Sequence, residues 1–512
     1  MFQLVEEYGK PSINLFFPTL SIALVLLLFK FITKPRTGKL NLPPSPSRLP
    51  VIGNLHQLGS LPHHSLQSLV LKHGHVMMLY FGQKPILVLS SSEAAKEVMK
   101  TQDTNFANRP HTICAERLLY SNRDLAFSFY GDYWRKVRKM CVLQLFSAVR
   151  VESFKSVRKE EVDLMINKIH QSCASGSSVV NLTEINMSFT NDVVCRVAFG
   201  RKIEREGDSA KFWEMIGEFL YLLGVFNVGD FIPWLDWVNY FNGINARTKK
   251  NFKNLDCFVE SLIEEHVQHR KNDESVGKAT EDLIDVMLRV EKDNSLGVPF
   301  GRENIKAILV DIFAAGTDTT AATVVWALTE LIKHPDIMKE LQKEIREVCK
   351  EKPCVREEDL GNMTYLKMVI KETLRLHVPI PLLPRESIES TEVLGYHIPA
   401  KTRVVINAWA IARDPSSWEE PEEFRPERFK NRYLDYKEQD FAAVPFGAGR
   451  RGCPGITFAG PSMELPLANL LYHFDWNLPA GVSVEDIDVT EVFGIVASKK
   501  YPLLLAATHH SF

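Results

Sequence analysis

The sequence predicts a mainly α-helical domain with a minor β lobe, organised around one long central helix and preceded by an N-terminal membrane anchor. Three observations predict it. Residues 303–333 read as one helix of 31 residues, ended by His334-Pro335, and about 46 Å of helix is enough to cross a whole domain. Apolar residues recur at three and four spacing through 151–169, 252–267 and 281–290, and helical periodicity dominates from about Asp132 onward. Strand-like runs are confined to 76–81, 85–89, 392–398 and 403–407.

Between Pro11 and Phe29 lie 19 residues without a charge, followed by Lys30, Lys34, Arg36 and Lys39. That run is long enough to cross a bilayer, and its basic C-terminal flank should stay cytosolic together with the rest of the chain. A cleaved signal would carry its basic residues at the other end and a small-residue cleavage site, so an anchor is the better reading. Residues 1–41 are thus expected to be the anchor and its flank. At 512 residues, length alone would suggest several domains. No repeat, low-complexity tract or long linker divides residues 42–512, and one large domain is preferred.

That domain opens with Leu42-Pro43-Pro44-Ser45-Pro46, whose prolines make a semi-rigid spacer. Residues 76–81 and 85–89 flank Gly82 as a hairpin, and Ser90 with Glu93 forms a capping box for a helix through Lys100. A net charge of −2 gives no reason to expect nucleic acid as a partner. Eight scattered cysteines without a CxxC pair suit a reducing compartment and exclude a zinc-ribbon reading.

The densest chemistry lies at 445–455, Pro-Phe-Gly-Ala-Gly-Arg-Arg-Gly-Cys-Pro-Gly. Gly447, Gly449, Gly452 and Gly455 allow close approach to a flat ligand, and Pro454 suits a first helical turn. Cys453 then sits at a helix N-terminus, where partial positive charge favours a thiolate that can bind iron. A lone cysteine is more often an ordinary buried thiol. The order Phe446, Gly449, Arg451, Cys453, Gly455, however, resembles the haem-binding signature of the cytochromes P-450, and further motifs follow in the expected order.

The resemblance covers about residues 42 to 507 and implies that family's fold, with haem b held through the thiolate of Cys453 as metal ligand and Phe446, Gly447, Arg451 and Gly455 around it. Trp134 and Arg138 lie four apart on one helical face. By resemblance their indole N–H and guanidinium meet a haem propionate, as do Arg451 and Arg385. Arg385 stands ten residues after Arg375, one fewer than the family leads one to expect, which should shift residues 380–383 against the pocket. Glu372 and Arg375 are spaced to pair on a helix, and with Arg428 they resemble a buried Glu-Arg-Arg cluster behind the haem. In the long helix, Ala314-Ala315-Gly316-Thr317-Asp318-Thr319-Thr320 is poor helical composition whose hydroxyls compete for carbonyls, so a local opening is expected. It looks like the family's oxygen-binding groove: Ala315 and Gly316 would leave room over the iron, and Asp318 and Thr319 would relay the protons that O–O cleavage needs.

Expected pocket-lining regions are 111–129, 219–231, Phe313, 380–383 and 493–496, mostly apolar, which suits a small hydrophobic substrate. Phe226, Phe231, Ile232, Trp234 and Trp237 are either core or a membrane-interface patch. The set resembles most the plant microsomal monooxygenases of specialised metabolism. It implies an endoplasmic reticulum location and O2 as co-substrate. It also implies electrons from NADPH through a separate cytochrome P-450 reductase, and a cytochrome b-type donor as a second source. Lys136, Lys139 and Arg450 offer basic charge to such a partner. A haem-thiolate dehydratase or isomerase, or a non-catalytic haem sensor, is the alternative; Asp318 and Thr319 speak against the former.

Overall fold

In the computed structural model the described residues are 21, 23–25, 40–174, 179–203, 208–272, 281–350, 352–432, 435–437, 440–492 and 494–510. Most of the expected anchor therefore lies outside the described residues. The helices used below are α1 (Pro62–His73), α2 (Ser92–Lys96), α3 (Asp132–Met140), α4 (Lys155–Ala174), α5 (Leu182–Phe199), α6 (Asp208–Gly224), α7 (Ile244–Asn272), α8 (Leu283–Lys292), α9 (Arg302–Lys333), α10 (Pro335–Val348), α11 (Thr364–Leu376) and α12 (Ile456–His473). The strands are β1 (Val76–Phe81), β2 (Lys84–Leu89), β3 (Val179–Asn181), β4 (Leu382–Glu386), β5 (Thr391–Val393), β6 (Tyr396–Ile398), β7 (Arg403–Asn407), β8 (Phe474–Asn477), β9 (Glu491–Val492), β10 (Ser498–Lys499) and β11 (Leu504–His509).

The main sheet runs β1-β2-β7-β4, with β2 and β7 parallel and the other pairs antiparallel. A second sheet, β3-β11-β8, gathers strands from the middle and end of the chain. The expected strand at 392–398 is instead the β5–β6 hairpin. The helix expected after Ser90 is capped by Ser91, whose Oγ accepts from Ala94 N at 3.2 Å, and it passes into a π-helical stretch over Glu97–Thr101. The region 151–169 falls into two helices, Ala148–Ser153 and α4, because Phe154 leaves the helical path between them. Proline-rich residues 42–46 are no open spacer: Pro43 and Pro46 are buried, and Pro44 O accepts from Met78 N of β1 at 2.9 Å.

At the centre, α9 packs on α5, α11 and α12 and is almost wholly buried. It is α-helical throughout, so the expected opening at 314–320 is not seen. The hydroxyls that should compete with the helix join it instead, Thr319 Oγ1 donating to Ala315 O at 2.6 Å and Thr323 Oγ1 to Thr319 O at 2.8 Å.

Behind this core, Glu372 and Arg375 are both fully buried and form a two-pronged pair, Nε to Oε2 at 2.7 Å and Nη2 to Oε1 at 2.8 Å. Arg428 Nε adds a third contact, to Glu372 Oε1 at 2.9 Å. The remaining donors go to carbonyls: Arg375 to Ala412, Pro421 and Glu423, Arg428 to Glu419 and Glu420. A dry ion pair satisfied this completely pins the irregular 412–428 segment to α11. Breaking one partner strands a buried charge at roughly 3–5 kcal/mol. Glu372→Gln should accordingly lower the denaturation midpoint and the haem content together, both read on the purified protein.

Candidate haem-thiolate site

The cysteine loop is shaped by two glycines that no other residue could replace cheaply. Gly447 and Gly449 have φ of +62° and +67°, in the left-handed region. A Cβ on Gly449 would lie 2.2 Å from Met99 O and 2.5 Å from Asp103 Oδ1. The loop is thereby pressed against the segment after α2, and Asp103 accepts from Arg450 N at 3.0 Å. Cys453 N donates to Phe446 O at 2.8 Å, closing the loop two residues before Gly455, the N-cap of α12.

Burial pushes the Cys453 thiol up, opposed but not overcome by the Gly455 N–H and by Arg138. The helix terminus alone therefore does not make it a thiolate, contrary to the expectation from Pro454; a bound metal cation would, since it deprotonates a coordinating thiol outright. Cys453 is nevertheless open to a small molecule such as water. A side chain that meets both descriptions lies on the wall of an internal cavity. Ala315, exposed halfway along the buried α9, does the same.

Four arginines converge beside the loop. Arg138 Nη2 donates to Gly452 O at 2.6 Å, and Arg385, 2 % exposed, reaches Ala448 O at 3.3 Å. Arg451 donates to Ala107 O at 2.7 Å and Ser128 O at 2.5 Å. Arg109 donates to Ala126 O at 2.8 Å and to Pro384 O. Among the described residues none of the four forms an ion pair. Burial, then their mutual repulsion, pushes Arg385 well down and Arg451 down to about 8, while burial takes Arg109 to about 10. A guanidinium keeps its proton in a protein, so these shifts measure buried positive charge that the nearby carboxyls of Asp103, Asp124 and Asp311 do not balance. A flat group carrying two carboxylates on one edge and a thiolate-seeking iron at its centre fits this donor set.

Several expected roles change. The indole N–H of Trp134 donates to Leu125 O at 3.0 Å, so that donor is already used; the ring instead underlies Arg451 at 4.0 Å. Gly316 faces α5 rather than the iron side, for a Cβ there would meet Val194 Cγ2 at 3.2 Å. Phe313, 2 % exposed and packed between Phe199 and Phe212, is core. Arg385 sits in β4 opposite Val404 in an unbroken ladder, so the short spacing is absorbed before the strand. Glu372, Arg375 and Arg428, by contrast, keep the mutual pairing expected of them.

Sequence reasoning missed Arg109 and a carboxyl pair. Asp311 Oδ2 of α9 accepts from Leu125 N at 2.8 Å and Ala126 N at 3.0 Å, and Asp124 Oδ2 accepts from Phe127 N at 2.6 Å. The other Asp124 oxygen is buried without a donor, and Asp311 lies against it. Burial pushes Asp124 up to about 6, and burial with the neighbouring Asp124 pushes Asp311 well up. The two carboxyls share a proton near neutrality.

Residues 43–505 match the family model described as Cytochrome P450. The chain belongs to the cytochrome P450 family. A cytochrome P450 71A1 of Persea americana is 52% identical over 90% of this chain and 91% of its own. Norfluorocurarine oxidase of a Strychnos species is 46% identical over 98% and 99%, and tabersonine/lochnericine 19-hydroxylase of Catharanthus roseus 47% over 96% of each chain. A zebra fish cytochrome P450 structure with abiraterone superposes with a TM-score of 0.71 at 23% identity, covering 88% of this P450 and 100% of the other. Membership makes the protein a monooxygenase whose prosthetic group is a haem with a cysteine thiolate ligand.

Gly449→Ala should abolish the red-shifted carbon monoxide band of the reduced protein. Gly361→Ala, where a Cβ meets nothing within 4 Å, should leave that band intact. The carboxyl pair gives a second expectation. Its folded pKa values are raised, so the folded state holds a proton that the unfolded chain has already released, and stability falls as pH climbs from about 4 through 6 and beyond. Asp311→Asn removes that loss: relative to wild type its melting temperature should rise between pH 5 and pH 8, by the equivalent of roughly 2 kcal/mol.

Proposed function

We propose that this P450 oxidises a small hydrophobic plant specialised metabolite, an alkaloid, terpenoid or phenolic, using O2 and electrons passed from NADPH by a P450 reductase. A cytochrome b-type protein is a second donor. The site of action is the cytosolic face of the endoplasmic reticulum. The observation that carries the reading is the run Ala315 to Thr319: an apolar, exposed residue on a mostly buried helix, followed within about one turn by a half-buried carboxyl and a hydroxyl. When bound, haem supplies the oxygen activation.

The chain's own residues supply the rest. Thr319 holds its hydroxyl proton on Ala315 O and can turn it toward a ligand above the cysteine at the cost of one hydrogen bond. Burial pushes Asp318 up to about 6, so its carboxyl exchanges a proton near neutral pH. The aliphatic residues at 380–383 and 494–496, with Ile495 pressed against Gly224 of α6, exclude water and orient an apolar substrate by shape. Two relatives near half identity are named for oxidising norfluorocurarine and for hydroxylating tabersonine or lochnericine, which supports an alkaloid-sized substrate.

Trp234, Trp237, Tyr240 and Phe241 are 55–83% exposed and Ile232 is core. Such a ridge of rings suits a membrane interface and supports substrate entry from lipid. On the cysteine-side surface, Lys136 and Arg450 are ion-paired to Asp132 and Asp103, both at 3.0 Å, and Lys139 stands exposed. A reductase docking there would exchange those pairs for its own acidic groups.

Microsomes with reductase and NADPH, offered plant alkaloids, terpenoids and coumarins, should yield a product heavier by one oxygen; oxidation that proceeds without O2 or NADPH would overturn the reading. The protonated fraction of Asp318 falls as pH rises through about 6. Product formed per O2 consumed should decline across that pH in wild type, with the inflection lost in Asp318→Asn and coupled turnover reduced about a hundredfold.

A further inference from the structure

Away from the haem region, the first turn of α1 holds two consecutive histidines against a carboxylate from the far end of the chain. His63 Nε2 lies 3.0 Å and His64 Nε2 3.8 Å from the same Oε2 of Glu491. The three ligand atoms all lie within 4.8 Å of one another. Ligands about 2.0–2.2 Å from a tetrahedral ion stand roughly 3.3 Å apart, so these separations need little adjustment to enclose one. Their placement is fixed by packing: His63 meets His64 edge-on with centroids 4.5 Å apart, and Trp409 stacks on His64 at 4.1 Å. The side chains of His63 and Glu491 are 0% and 10% exposed, whereas that of His64 is 45% exposed.

We propose that His63, His64 and Glu491 form a site for a divalent transition metal of the zinc class, its fourth position open to solvent beside His64. Two imidazoles and a carboxylate suit zinc, whereas calcium and magnesium prefer all-oxygen cages. The protonation states agree with the geometry. Burial, then His63, holds His64 below its usual value, leaving a neutral imidazole. Glu491 stays below the usual carboxylate range because His63, His377 and Arg413 outweigh its burial. Arg413 adds positive charge nearby, although it is tied to Leu376 O at 2.6 Å and to Glu422 at 3.2 Å. That charge sets the affinity below that of a structural zinc site.

The site has a consequence for the pocket. Glu491 opens β9, which pairs with β10, and the turn between them carries Ile495 against Gly224. His377, which precedes residues 380–383, has its Nδ1 4.0 Å from Glu491 Oε1. An ion at Glu491 therefore fastens one pocket-facing turn to α1 and slows exchange of substrate past it.

The test uses the full haem-loaded chain in detergent, without a histidine tag and stripped by chelation. Dialysis against zinc should load one equivalent that is lost in His64→Ala, and cobalt(II) in its place should show the intense visible bands of a four-coordinate ion. His64 is half exposed, so His64→Ala is expected to fold, as an unchanged carbon monoxide spectrum would verify. Glu491→Gln should lose the same equivalent. His266→Ala, which alters the separate His266, Asp282, Asp285 group, should retain it. Equal zinc uptake by wild type and His64→Ala, or only the pale spectrum of six-coordinate cobalt, overturns the proposal.

Discussion

Four guanidinium groups beside one cysteine, two buried and two half-buried, set the terms for the rest of the molecule. Arg109, Arg138, Arg385 and Arg451 come from four separate stretches of chain, and each donates to backbone carbonyls rather than to carboxylates. Carbonyl acceptors make burial tolerable but leave the net charge in place. The protein thus retains a concentrated positive field beside Cys453 that its own carboxyls offset only in part. Such a field suits the carboxylate edge of a haem, and the loop at 445–455 is the segment that would bring sulfur to its iron.

The same carbonyls join this field to the central helix. Leu125, Ala126 and Ser128 accept from Trp134, Arg109 and Arg451 respectively, while Asp311 of α9 holds the N–H groups of Leu125 and Ala126. The guanidinium cluster and the central helix therefore share one short loop. A shift of that loop would move both, which explains why so much polar chemistry is invested in residues 124–128.

Much of this was legible in the chain itself where the chemistry is local. A cysteine among four glycines, a 31-residue helical stretch ended by His-Pro and a Glu-Arg pair three apart are each short-range patterns, and the elements they imply exist at nearly the stated limits, with α9 starting one residue earlier. What could not be read depends on contacts across hundreds of residues. Arg109 is one basic residue in an ordinary loop until Pro384 and Ala126 turn their carbonyls to it. Asp311 is visible only as a polar interruption in an apolar helix, and its partner lies 187 positions earlier. Gly316 sits next to Ala315, yet a turn of 100° per residue sends one toward the cavity and the other toward Val194. Spacing gives the neighbours along a helix but not which neighbouring helix they meet.

The burial of Pro43 and Pro46 has an effect on where the chain can be shortened. Strand β1 is the outer member of its sheet, and residues 44–54 lie along it, with Pro44 O, Ile52 O and Asn54 taking up Met78, Gly82 and Tyr80 N–H groups. This stretch is a selvedge sewn to the cloth, closing a margin that would otherwise recruit strands from other molecules. A shortened version of the enzyme is accordingly best cut ahead of Asn41, because trimming back to the first regular helix would leave a raw sheet border.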